Sequence, residues 1–174
     1  NFDFIPGFEG SHWAWDGNAA KKAPALPPNT IHPTDQIAYQ GHYPYGNETV
    51  IAYSVQGRDV LESPIHEISD DTVIIHRRLS IDPGDNPLEL IVHSGGDTRP
   101  KISGRAGRVD INGQTLAATL QGDRKATSWK IGPNNELILR INPSNRSIDI
   151  NVALTSMESR RELPPTVSLQ TTDL

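Results

Sequence analysis

Cysteine is absent from the 174 residues. That excludes disulfides, thiolate catalysis, zinc–thiolate sites and covalent attachment of a c-type haem within the chain. Basic residues are too few for a cationic face: 16 Lys and Arg stand against 21 Asp and Glu, a net charge of -5. Such a surface gives a polyanion no counterions to release, so nucleic acid is not an expected partner. No apolar run has the length of a membrane span. Helical periodicity is missing too, since no segment keeps a 3.6-residue apolar repeat over three turns. Nor is there a Gly-x-Ser-x-Gly elbow or a phosphate-binding loop.

What is present divides the chain in three. Residues 1–36 mix Phe2, Phe4, Phe8, Trp13 and Trp15 with glycine, and Pro24, Pro27, Pro28 and Pro33 forbid a long helix. This stretch is read as an irregular aromatic arm packing on a neighbouring surface. Residues 37–158 carry short β-rich runs separated by turn chemistry, as in Gly46-Asn47, Gln56-Gly57, Pro83-Gly84 and Asn112-Gly113. Strands are expected over 37–43, 49–55, 60–62, 72–81, 88–93, 108–111, 114–120, 126–131, 136–141 and 146–154, with 94–107 as the longest loop. Regular short strands predict an all-β fold, an antiparallel β-sandwich. Along 136–141, Leu137, Leu139 and Ile141 should face the core, and Glu136, Ile138 and Arg140 the wetter side. Residues 159–174 read as a polar linker toward a following domain. With Asn1 in place of Met, both ends are expected to be cuts in a larger exported protein, periplasmic or extracellular.

Three constellations could carry function. Trp13, Trp15, Tyr43 and Tyr45, with Asp16 for hydrogen bonds, could stack against the apolar faces of sugar rings and hold a polysaccharide. The bland reading of these rings is core or interface packing. Among six histidines, His32 and His42 could meet Asp35 on a metal ion and support a metal-assisted hydrolase or lyase. Their spacing is not that of a helical metalloprotease motif, and surface or cross-strand histidines are the simpler reading. Arg77 and Arg78 are adjacent in one strand, so one of them points to the core and needs a carboxylate. Glu62, one strand earlier, is the expected partner of Arg77 in a structural ion pair. Asn47-Glu48-Thr49 and Asn145-Arg146-Ser147 fit the glycosylation pattern but read as turns.

Ile37 to Tyr43 with Gly46 to Glu62, then His76 to Ile81, and finally Pro165 to Leu174, together resemble an uncharacterised β-domain. That domain occurs in large exported proteins of planctomycetes and related bacteria. The resemblance implies a parent that also carries a sorbosone-dehydrogenase-like propeller and a c-type cytochrome domain. Haem c would then sit elsewhere in the parent, with no cofactor in this chain and other domains or chains of the parent as partners. The family supplies no catalytic residues to carry over. A non-catalytic structural or interaction module is therefore the leading expectation, with a carbohydrate-binding module and a metal-assisted hydrolase or lyase as alternatives.

Overall fold

A computed structural model of the chain describes residues 12–14, 36–69 and 72–158. The arm, apart from 12–14 and Gln36, and the linker from residue 159 lie outside them. The described residues are all-β. Their strands are β1 (His12–Trp13), β2 (Ile37–Tyr45), β3 (Glu48–Val55), β4 (Arg58–Ser69), β5 (Thr72–Ile81), β6 (Leu88–His93), β7 (Lys101–Ser103), β8 (Ala106–Ile111), β9 (Gln114–Gly122), β10 (Thr127–Ile131), β11 (Leu137–Ile141) and β12 (Ile148–Glu158). They form two antiparallel sheets. The larger runs β2-β3-β4-β5-β12-β9-β8-β7 and the smaller β1-β6-β11-β10. This is the layered arrangement expected of a sandwich.

Side-chain alternation decides what lies between the layers. From the large sheet come Val60, Leu79, Ile81, Ile148, Val152 and Leu154, and from the small sheet Leu88, Leu90, Leu137, Leu139 and Ile141, all buried in one cluster. Each such side chain contributes about 1.5–3 kcal/mol by leaving water. Gly107 lets the layers close. A Cβ there would stand 2.6 Å from a methyl of Leu137. The hairpins β3–β4 and β8–β9 turn on Gln56-Gly57 and Asn112-Gly113, all four with positive φ, which matches the twist of the flanking strands.

Three expectations need correction. Strand β4 does not stop at Glu62 but continues to Ser69. Pro64 suggests an end, yet β3 pairs with β4 only as far as Glu62. Pro64 thus sits where that flank is open, a position a proline tolerates. The stretch 94–107 is not wholly loop, because β7 pairs with β8 around a tight turn. Ile138 and Glu136 are not on a wet face. Both are buried, Ile138 in a second cluster with Ala14 and Ile91 on the far side of the small sheet.

The layers are joined by two crossovers of matching sequence. Ile81-Asp82-Pro83-Gly84-Asp85-Asn86-Pro87-Leu88 leads from β5 to β6, and Ile141-Asn142-Pro143-Ser144-Asn145-Arg146-Ser147-Ile148 leads from β11 to β12. They run antiparallel and bond to each other, Gly84 N to Ser144 O at 2.9 Å and Ser144 N to Gly84 O at 3.0 Å. The apolar residue at each end of each crossover is fully buried.

Candidate functional site

Glu62 and Arg77 come together inside the sandwich. Residues two apart on a strand share a face, so Glu62 points inward beside Val60, and Arg77 beside Leu79. Arg77 donates to Glu62 through Nε at 2.6 Å and through a terminal nitrogen at 3.0 Å. Tyr53 donates its hydroxyl to the same carboxylate at 2.6 Å and accepts Trp13 Nε1–H at 3.1 Å. All four residues are at most 4 % exposed. Burial, then the Glu62 charge, holds the Tyr53 hydroxyl well above its ordinary pKa. Burial alone would lower the Arg77 pKa, and the Glu62 carboxylate reverses it, leaving the guanidinium firmly protonated. The arrangement ties β1 of the small sheet to β3, β4 and β5 of the large one. Trp13 is thereby a core residue with its ring enclosed, which removes it from any sugar-stacking surface.

Tyr43 and Tyr45 lie elsewhere. They pair with Val50 and Glu48 across the β2–β3 hairpin and point away from the core, 41 % and 47 % exposed. Tyr39 is more exposed still, but a register shift between Tyr39 and Gly41 puts it on the other face, opposite Tyr53. The other two members of the sugar-binding set, Trp15 and Asp16, fall outside the described residues. So do His32 and Asp35 of the metal set. His42 is described; it is exposed, and its Nδ1 meets the Tyr39 hydroxyl. Among the described residues, no three His, Cys, Asp or Glu side chains converge as metal ligands would.

Next to Tyr43 and Tyr45, the outer face of the large sheet carries a polar row that residue-by-residue reading did not connect. Glu48 reaches over β4, accepting from Ser63 Oγ at 2.6 Å and from Arg78 of β5 at 3.0 and 3.2 Å. Beside Arg78 stands His76, only 3 % exposed. Asn151 Nδ2 lies 3.1 Å from its Nδ1 and 3.4 Å from Gln121 Oε1. An amide donor there leaves the ring proton on Nε2, which faces Glu67 Oε2 at 3.7 Å, too long for a hydrogen bond. Three buried atoms here have no partner: His76 Nε2, Glu67 Oε1 and Asn151 Oδ1. Burial keeps the His76 pKa below its usual value, the Glu67 carboxylate opposing it. The signal that could find this row is the alternation Ser63, Ile65, Glu67 along β4 beside His76 and Arg78 along β5, which a strand ending at Glu62 hides.

Two further ion-paired clusters lie elsewhere among the described residues. Glu89, on the far side of the small sheet, takes Lys130 at 2.5 Å and Arg140 at 3.1 Å. Asp123 holds Arg146 at 2.6 Å in a shallow hollow at the crossovers, which Asp85 and Lys125 also line.

Residues 6–62 match a family described as Domain of unknown function (DUF6797). The matched span covers β1 to β3 and the start of β4, and so takes in Trp13, Tyr43, Tyr45, Glu48, Tyr53 and Glu62. No curated protein and no solved structure matches the chain.

Proposed function

We propose that the chain is a non-catalytic interaction module of a larger exported protein, and that it works through the outer face of β2 to β5. The observation that carries this reading is the exposed pair Tyr43 and Tyr45 continuous with the Glu48–Ser63–Arg78 row. Aromatic rings with a polar tip, flanked by arginine, are the side chains that dominate recognition surfaces. The titratable groups with the strongest mutual bonds, Glu62 and Arg77, are sealed in the core, where no substrate atom reaches them. Their role is to hold the layers together, not to turn over a ligand.

The parent we infer is the multidomain kind the resemblance implies, with a propeller and a haem-bearing domain elsewhere. The family match over 6–62 supports the first of the three resembling stretches. Hydroxyl-radical footprinting tests the reading. Labelling of Tyr43 and Tyr45 is compared between the purified chain and the chain in an extract of the cells that make the parent. Protection of both in the extract is expected. Equal labelling in the two samples would refute an interaction through this face.

A further inference from the structure

We infer that the occupant of this face is a neutral oligosaccharide, lying across β2 to β5 with a ring stacked on Tyr43 or Tyr45. The inference rests on the interaction-module reading above and adds the ligand class. A pyranose offers an apolar C–H face and a rim of hydroxyls, each both donor and acceptor. The tyrosines suit the first feature. The polar row suits the second. Arg78 spends one terminal nitrogen on Glu48, and a guanidinium has donors on two further nitrogens. The three unpartnered atoms are one donor, His76 Nε2–H, and two acceptors, Glu67 Oε1 and Asn151 Oδ1. Leaving such groups unmet is unfavourable, and adjacent hydroxyls supply both kinds of partner. Glu67 is the member a ligand reaches first, with a quarter of its side chain exposed.

Charge selects a neutral ligand. The face presents Glu48 and Glu67 against Arg78, with His76 held neutral by burial. An anionic polymer finds no cationic excess there. Length fits as well: β2 and β5 are three strand steps apart, about 14 Å at the usual sheet spacing, so one chain of linked rings can touch the tyrosines and the His76 group together.

Calorimetric titration of the purified chain with neutral gluco-, xylo-, manno- and N-acetylglucosamine hexaoses tests this. At least one should bind. Tyr43→Ala and Tyr45→Ala together should weaken it tenfold or more, and Arg78→Lys should weaken it with the unfolding transition unmoved. Tyr39→Ala, on the opposite face, should leave the affinity unchanged. Silence from the whole panel overturns the proposal, as does binding that ignores the Tyr43 and Tyr45 changes or that requires uronic or sulfated sugars. If the panel is silent while Tyr43 and Tyr45 are protected in the cell extract, the occupant is something other than a neutral oligosaccharide. The glycan inference then fails and the interaction module stands. Silence with no protection defeats both.

Discussion

Replacing Arg77 by methionine keeps most of the side-chain volume and removes the charge. Glu62 would then lose two of its three donors, keeping only the Tyr53 hydroxyl, at a site with no solvent exposure. Removing one member of a buried pair costs about 3–5 kcal/mol, because the other is left charged and dry. That is a large part of the roughly 5–15 kcal/mol that holds an ordinary domain folded. At about 2–4 °C per kcal/mol for a chain of this size, the midpoint should fall by roughly 6–20 °C. Urea unfolding followed by tryptophan fluorescence and far-ultraviolet circular dichroism measures the first figure, and a thermal melt the second. The double change Glu62→Leu with Arg77→Met provides the control: with both charges gone, stability should return to near the starting value or above it. A loss under about 1 kcal/mol for Arg77→Met would refute the reasoning. So would a double variant no more stable than the single one.

Leu139→Ala should cost about 2–5 kcal/mol in the same urea assay, since Leu139 is fully enclosed between the sheets. Gly84→Ala should cost about 1–3 kcal/mol by overpacking: the added Cβ would lie 2.7 Å from Cγ and Cδ of Arg58, which is fixed by bonds to Asp82 O and Asn86 O. Adding Arg58→Ala should shrink that cost, and an undiminished cost would show that the clash lies elsewhere. Stability should also fall as pH drops below about 6.5. The unfolded chain takes up protons there at His76 and His93, whose folded pKa values burial holds lower, so the unfolded state binds more protons and gains. Urea midpoints from pH 8 to 5 test this. His76→Gln should flatten the slope, and an unchanged slope would remove His76 from the account.

The layered fold was legible because period-two alternation and paired turn residues are local signals. Tyr53 and Val55, or Leu137, Leu139 and Ile141, declare their face within one strand. Arg77 could be matched to Glu62 for the same reason: an arginine on a core-facing position demands a carboxylate, and few lie on the neighbouring strand. What stayed hidden depends on which strands become neighbours. Asn151 meets His76 only because β12 inserts beside β5, across 75 residues of sequence. Tyr53 as the link between Trp13 and Glu62 likewise needed both sheets in place. Ile138 shows the limit of alternation itself, since a strand in the middle of its sheet can be buried on both faces.

The paired crossovers explain why one of two matching segments needs glycine where the other has serine. Both step from one sheet to the other over the same eight residues, starting and ending on a buried apolar side chain, so each fixes the vertical offset of the layers. Their mutual hydrogen bonds at Gly84 and Ser144 make the two steps a single unit. Arg58 breaks the equivalence. Its side chain comes off β4 over the first crossover, 3 % exposed, and lies where a Cβ of residue 84 would stand. Ser144 turns its hydroxyl outward instead, accepting from Arg146 N at 3.2 Å and donating to Arg146 O at 2.7 Å. Asymmetry in the sequence thus follows from which crossover has a neighbouring strand to anchor it. The crossovers set the spacing of the sheets at one place and the Trp13–Tyr53–Glu62–Arg77 chain binds them at another. Between them they join the layers without using the polar residues on the outer face of β2 to β5.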